Sequence, residues 1–132
     1  MIVRPKVNLF LEITARRADG FHEIVTVMQT VANVTDALEV APAPGLSLTI
    51  DDQRAPALPG GGCVLPPAPI PTDERNLVLK AARALQTRAG ANQGARFHLL
   101  KRVPDGAGLG GGSADAAAAL TLLSQLWRLD LP

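Results

Sequence analysis

The sequence is poor in aromatic residues and carries almost no net charge. It contains three Phe, one Trp and no Tyr among 132 residues, and its formal net charge is +1. Proteins that bind single-stranded nucleic acid stack the bases on aromatic side chains, and nucleic-acid binders in general show a strong basic excess. We therefore expect no nucleic-acid partner.

Cysteine and long apolar runs are equally scarce. Cys63 is the sole cysteine, which excludes a disulfide within the chain, and neither a base nor a second thiol flanks it. The first ten residues have too short an apolar part for a signal peptide, and the longest apolar run, AAAALTLL, falls well below the roughly 20 residues of a membrane span. We expect a cytoplasmic protein with no membrane partner.

What the chain does contain suits one globular domain, since 47% of its residues are apolar and 19% are charged. A period of two, typical of strands, recurs four times before residue 51. The alternating apolar residues are Val7, Leu9, Leu11 and Ile13, then Val25 and Val27, then Leu38 and Val40, and finally Leu46, Leu48 and Ile50. The first strand should turn one face inward, and the segment APAPG predicts a hairpin between the last two strands.

The second half of the chain changes character. Residues 51–72 are rich in Pro and Gly without periodicity, which indicates a linker or surface loop. Helical spacing over residues 76–89 ends at Gly90, and residues 96–103 return to strand character. A last helix should bury one face, formed by Ala116, Leu120, Leu123 and Trp127. The order of elements indicates an α+β fold.

Five of the seven residues from Gly106 to Gly112 are glycine, between a predicted strand and a predicted helix. A bare backbone can approach an anion closely, and a helix N-terminus offers free N–H groups and a partial positive charge. Ser113 stands where the helix should begin, in a preferred capping position. We interpret the segment as a phosphate-binding loop, the alternative being a connection that merely turns the chain.

The familiar phosphate loops do not match this segment. A Walker loop needs a lysine before its Ser or Thr, and Gly112 precedes Ser113 here. A protein-kinase loop continues into a strand, whereas this one continues into a helix. The dinucleotide fingerprint is matched in spacing alone, because no strand precedes Asp130, the acid that should end one.

The nucleotide-binding motif of the GHMP kinases (galactokinase, homoserine, mevalonate and phosphomevalonate kinases) is similar to the stretch KRVPDGAGLGGGSADAAAAL. Within that superfamily, the branch that phosphorylates a cytidine-diphosphate-linked sugar alcohol resembles the chain also in PKVNLFLEITARRADGFHEIVTVMQTV, TDALEV and ERNLVLKAARAL. The resemblance implies a ribosomal-protein-S5-domain-2-like sandwich. Residues 1–132 would form the N-terminal, ATP-binding domain, with a Pro/Gly-rich loop at 51–72.

The same resemblance implies roles for individual residues. Lys6 would be catalytic, near the hydroxyl that is phosphorylated, and Asn8 would contact the substrate. Phe21 and His22 would recognise the cytosine ring, although without the resemblance they would be interpreted as a core residue and a surface residue. Asn76 and Lys101 would line the adenine pocket. The ATP phosphates would meet Pro104, Asp105, Gly106, Ala107, Gly108, Leu109, Gly110, Gly111, Gly112, Ser113 and Ala114.

The implied activity is transfer of the ATP γ-phosphate, with Mg²⁺, to the 2-hydroxyl of 4-diphosphocytidyl-2-C-methyl-D-erythritol in the non-mevalonate route to isoprenoid precursors. Two departures from the family pattern stand out. Ala114 replaces the second of two serines, and the family's Gly-Ala-Asp segment with its catalytic aspartate, like the C-terminal domain, is expected beyond this chain. No metal ligand is assigned, and a homodimer is left open. The alternatives are another GHMP small-molecule kinase and a non-catalytic nucleotide-binding fragment.

Overall fold

The computed structural model of the protein describes residues 1–55 and 68–130, so Cys63 and much of the Pro/Gly-rich stretch lie outside the described residues. Within these residues six strands and two helices follow one another, and the α+β class is confirmed. They are β1 Ile2–Val3, β2 Lys6–Arg16, β3 His22–Thr30, β4 Asp36–Ala43, β5 Leu46–Asp52, α1 Leu77–Ala89, β6 Gly94–Lys101 and α2 Gly111–Leu126. The five predicted strands and both helices occur in the predicted order, and a short first strand was not predicted.

Four of the strands form the main sheet, in the order β1-β4-β6-β5. β6 pairs antiparallel with β4 and parallel with β5, so it lies between two strands that are neighbours in the chain. The predicted hairpin between β4 and β5 is therefore wrong. Alternation of apolar residues shows which face of a strand is buried, but it carries no information about which strand lies beside it.

Gly94 is what allows the third strand to enter between the other two. The connection from β4 to β5 crosses directly over the start of β6, and the Ala95 amide donates to the Gly45 carbonyl at 3.0 Å. A Cβ at position 94 would lie 2.5 Å from the Ala43 carbonyl oxygen and 2.5 Å from the Gly45 nitrogen. Only a residue without a side chain fits beneath this crossing.

Both helices cover one face of the main sheet and pack against each other. α1 begins at the predicted place, with Asn76 as N-cap, and Gly90 ends it in the left-handed conformation at φ 61°. In α2, Leu123 and Trp127 are buried as expected, but Leu120 is 38% exposed and the alanines at 118 and 119 face the core instead. Among the residues described, no helix is both long and apolar enough to cross a bilayer.

β2 and β3 form a separate two-stranded antiparallel ribbon. Its register runs from Lys6 opposite Thr30 to Arg16 opposite His22, with irregularities after Asn8 and after Ile13. Many large apolar side chains of the ribbon are exposed, namely Leu9, Phe10, Leu11, Ile13, Ile24, Val25, Val27 and Met28. The expectation that the first strand turns one face inward is thus wrong for the part of the chain described.

Candidate phosphate-binding site

The glycine-rich loop between β6 and α2 alternates in the sign of φ. Gly106, Gly108 and Gly110 have φ values of 71°, 72° and 68°, and Ala107 and Leu109 between them are not among the residues of positive φ. Successive N–H groups in such a turn conformation form a concavity that binds anions. Glycine is needed at 106 and 108 for conformation and not for space, since a Cβ there would meet nothing within 4 Å.

The helix N-terminus adjoins this concavity. α2 begins at Gly111, and its N-cap is the left-handed Gly110, which provides no side-chain hydrogen bond. The predicted capping role of Ser113 is therefore wrong, because the left-handed glycine starts the helix earlier and leaves Ser113 exposed in the first turn. Since no side chain caps this end, its first N–H groups are available to an anionic ligand.

Two adjoining cavities lie along the loop. One, of about 240 Å³, is lined by Pro104, Asp105, Gly106, Gly108, Leu109, Gly110, Gly111, Gly112 and Ser113, together with Leu77. The other, of about 170 Å³, includes Asn76, Lys101 and Ile70, and it shares Leu77, Asp105 and Gly112 with the first. A larger cavity of about 420 Å³ at the opposite end of the sheet has no charged residue in its lining. The loop cavities are the better site for an anion, because they adjoin the N–H groups at the start of α2.

Lys6 joins the ribbon to the glycine loop. Its Nζ donates to the Gly108 carbonyl at 2.8 Å and lies 3.4 Å from Asn8 Oδ1. Its backbone N–H donates to the Leu109 carbonyl at 3.0 Å. The structure thus brings together three groups that the sequence predicts to act together: the loop, the lysine and the asparagine. Of these three groups, only Lys6 carries a positive charge.

Phe21 and His22 lie at the other end of the ribbon. Phe21 is 72% exposed, so its interpretation as a core residue is wrong for the described chain. The ribbon between Lys6 and the turn is 11 residues long, which at the rise of an extended strand is at most about 36 Å. The register sets Lys6 opposite Thr30 and His22 opposite Arg16, at the two ends of the ribbon, so the pair is not gathered around Lys6. A ligand that touches both ends must lie along the ribbon.

Asn76 and Lys101 line the smaller cavity together, but their polar groups already have protein partners. Asn76 Oδ1 accepts from the Val78 N–H at 2.9 Å, and its Nδ2 donates to the Pro71 carbonyl at 2.8 Å. Lys101 Nζ lies 2.7 Å from Asp36 and 2.8 Å from Asp115, and its side chain is 2% exposed. Within the part of the chain described, each keeps one N–H without an acceptor, the third of Lys101 Nζ and the second of Asn76 Nδ2.

Asp36 and Asp115 hold Lys101 beneath the candidate site, and the sequence analysis did not single them out. Burial is the main cause that raises the pKa of Asp115 to about 6, against the opposing effect of Lys101. The two carboxylates outweigh the cost of burying the ammonium, so the pKa of Lys101 is raised. The available signal was Asp115 itself, a single charge in the otherwise apolar start of α2.

A second buried cation, Arg54, holds the loop from the other side. Its guanidinium donates to Asp52 at 2.7 and 2.8 Å, to Asp105 at 2.7 Å and to the Ala68 carbonyl at 2.9 Å. The hydrogen bond from Arg54 is the main cause that lowers the pKa of Asp52. Because Asp105 belongs to the glycine loop, this pair neutralises a negative charge that would otherwise face an anionic ligand.

Comparison with known proteins places this architecture in a family. The family described as the GHMP kinases N terminal domain matches residues 76–132. The 4-diphosphocytidyl-2-C-methyl-D-erythritol kinase of Alcanivorax borkumensis is 45% identical over 126 residues, which is 96% of this chain and 38% of that protein. Kinases of the same name from Chlorobium phaeobacteroides and Rhodospirillum rubrum are 43% and 42% identical over 96% of the chain. The chain spans about 38% of the length of these curated relatives.

Solved structures agree with the sequence comparison. A crystal structure of 4-(cytidine 5'-diphospho)-2C-methyl-D-erythritol kinase superposes with a TM-score of 0.70 at 32% identity, over 100% of this chain and 42% of that one. Homoserine kinase from Cytophaga hutchinsonii superposes with a TM-score of 0.57 at 27% identity, over 80% of this chain and 30% of that one. The glycine loop, the sheet and both helices are thus those of a known type of domain, and the chain belongs to the GHMP kinase family.

Proposed function

We propose that the protein is an ATP-dependent kinase that phosphorylates the 2-hydroxyl of 4-diphosphocytidyl-2-C-methyl-D-erythritol, a step in the supply of isoprenoid precursors. The observation that carries the proposal is the hydrogen bond from Lys6 Nζ to Gly108 in the glycine loop. It sets one cation beside the place where a phosphate would bind. The three curated kinases named above, at 42–45% identity, support the choice of acceptor.

The nucleotide would occupy the two adjoining cavities. Its phosphates would lie in the larger one, against the N–H groups of the glycine loop and the N-terminus of α2, where the helix dipole favours negative charge. Its base would lie in the smaller one, beside Asn76, Leu77 and Lys101.

The acceptor would lie along the ribbon. Its hydroxyl would meet Lys6 and Asn8 at the loop, where the ammonium offsets the charge that develops on the transferring phosphoryl group. Phe21 would stack on the cytosine at the tip of the ribbon, and His22 would donate to it or accept from it. An extended molecule with a diphosphate in its middle suits this arrangement better than a compact one.

Magnesium would bind together with ATP, coordinated by its phosphates. Within residues 1–55 and 68–130, no three His, Cys, Asp or Glu side chains are grouped so as to hold a metal ion. Asp105 is paired with Arg54, and Asp115 is buried against Lys101. We assign neither a metal-ligating role nor that of general base to these residues, and we expect the isolated chain to bind nucleotide weakly with negligible turnover. Location in the cytoplasm and homodimer formation remain predictions.

The test is ATP-dependent phosphorylation of the acceptor by the intact protein and its Lys6→Ala variant. We expect kcat/KM to fall at least about 100-fold, as for the loss of a group that stabilises transition-state charge. Arg4→Ala is the matched control, because Arg4 is an exposed cation just before β2, and it should leave turnover unchanged. Equal turnover of the Lys6→Ala variant and the unmodified protein would contradict the proposal.

A second candidate is a GHMP kinase for another small alcohol, which the likeness to homoserine kinase over 80% of the chain favours. Such an enzyme has no use for a cytosine site at the ribbon tip. Inhibition by CMP that is relieved in a Phe21→Ala variant would support the cytidine-linked acceptor. Phosphorylation of homoserine without inhibition by CMP would support the second candidate.

A further inference from the structure

Three charged side chains meet beneath the glycine loop, in the interior of the domain. Lys101 Nζ donates to Asp36 Oδ2 at 2.7 Å and to Asp115 Oδ2 at 2.8 Å. Asp36 is 0% exposed and the other two side chains are each 2% exposed. We call Asp36, Lys101 and Asp115 the buried triad. Its members come from the start of β4, the end of β6 and the first turns of α2.

Both ends of the glycine loop are fastened to this triad. Where the loop begins, Asp36 Oδ1 accepts the N–H groups of Arg102 at 2.6 Å and Val103 at 2.8 Å. Where the loop ends, Asp115 ties the start of α2 to Lys101. Gly111, the first residue of that helix, lies so close that a Cβ would be 3.0 Å from Lys101 Nζ.

Stability alone does not account for the triad. Two carboxylates share one ammonium in a site closed to water, and Asp115 Oδ1 has no hydrogen-bond partner in the part of the chain described. Desolvation of such groups is costly, and apolar side chains of similar volume often support a fold as well or better. What an ion triad adds over apolar packing is direction, because short charge-assisted hydrogen bonds fix the groups they join.

We propose that the buried triad is a positioning device that sets the distance and orientation between the two ends of the glycine loop, so that its N–H groups converge on the nucleotide phosphates. The identity of the ligand rests on the proposed function. The claim that the triad holds the loop does not depend on the proposed function. Lys101 then acts on the phosphates through the loop backbone, a role separate from lining the cavity assigned to the base.

The test replaces the ion triad by neutral side chains of similar size, in the triple variant Asp36→Asn/Lys101→Met/Asp115→Leu, because loss of the ammonium alone would leave the Asp36 carboxylate buried without a cation. In the unliganded protein, amide hydrogen exchange at the two anchors of the loop, Arg102–Val103 and Ala114, should accelerate about tenfold or more, while exchange in α1 stays unchanged. Leu85→Ala is the matched control, because Leu85 is a core residue of α1 that is 8% exposed. It should lower the urea midpoint and raise exchange throughout the core, without the localised change in the loop.

Binding of ATP and of inorganic triphosphate separates a role in holding the loop from a role in holding the base. If the phosphate-binding groups are misplaced, the affinities for ATP and for triphosphate should fall by the same factor, about tenfold or more. Weaker binding of ATP with unchanged binding of triphosphate would show that Lys101 acts on adenine, and would overturn the proposal. Unchanged exchange at Arg102, Val103 and Ala114 would overturn it as well.

Two further outcomes are covered by the design. If the triple variant does not fold, Asp115→Asn, which keeps the shape and removes one charge, is measured in the same way and must show the same localised change. If the unmodified protein binds neither ATP nor triphosphate, the proposed function fails. Hydrogen exchange in the loop still decides whether the triad positions it.

Discussion

Replacement of Gly111 by alanine is expected to destabilise the domain although it adds a good helix former. Gly111 is the first residue of α2 and has negative φ, so the backbone itself accepts a side chain. The added Cβ would lie 2.9 Å from Val103 Cγ1 and 3.0 Å from Lys101 Nζ. Val103 is fully buried and Lys101 is held by two carboxylates, so neither can move aside easily.

The next residue supplies the reference for the size of this effect. A Cβ at Gly112 would lie 3.4 Å from Leu77 Cδ1, an ordinary contact with the end of a side chain. Both variants gain up to about 1 kcal/mol of helix propensity, so this term cancels in their difference. Overpacking of a tight core site costs about 1–3 kcal/mol. Gly111→Ala should therefore be less stable than Gly112→Ala by about 1–3 kcal/mol.

Urea unfolding measures that difference directly. Trp127 is the single tryptophan of the sequence and is 6% exposed, so its fluorescence reports on the folded core. With a slope of about 1–3 kcal/mol/M, the two midpoints should differ by roughly 1 M. Equal midpoints, or a higher midpoint for Gly111→Ala, would show that α2 does not rest on Val103 and Lys101 as described.

Three other changes test separate features. Gly94→Ala should prevent folding, because its Cβ would meet backbone atoms at 2.5 Å, whereas Gly45→Ala, with nothing within 4 Å, should fold with an unchanged circular dichroism spectrum. Asn76→Ala should lower the free energy of unfolding by about 1 kcal/mol through loss of the N-cap, and Asn76→Asp, which keeps the accepting oxygen, should lower it less in urea titrations. The pKa of Asp115 is about 6 in the folded chain and about 3.9 when unfolded, so the folded state binds more protons between these values. The contribution of Asp115 to the free energy of unfolding should therefore decrease as pH rises from about 4 to 6. Urea midpoints across that range should fall less steeply in Asp115→Asn.

Local elements were predictable from the residues because their signals are local. Asn76 caps α1 through its own side chain, and Gly90 ends the helix in a conformation that glycine adopts without strain. The strands follow from alternation, and the glycine density between β6 and α2 indicates a loop in which the backbone must come close to something. The family resemblance added the partners of that loop, of which Lys6 is found in contact with it.

The errors have two sources: local patterns that fit more than one structure, and groups that lie far apart in the chain. Ser113 satisfies the capping rule, but the left-handed Gly110 starts the helix before it. In β2, apolar residues occupy both alternating sets, since Phe10 stands between Leu9 and Leu11, so a period of two could not define an inner face. Asp36 finds its partner Lys101 only because β4 and β6 lie side by side, and no spacing within the sequence encodes that pairing.

The entry of β6 between β4 and β5 has a consequence for how the chain folds. β4 and β5 are joined by a short connection but do not pair with each other, because the edges that face each other both pair with β6, which follows much later in the chain. Leu38 and Leu48 both pair with residues of β6, and α1 lies between β5 and β6 in the chain. Closure of such distant contacts is slow. On the ribosome, the central sheet therefore stays incomplete until the segment just before the glycine loop has emerged.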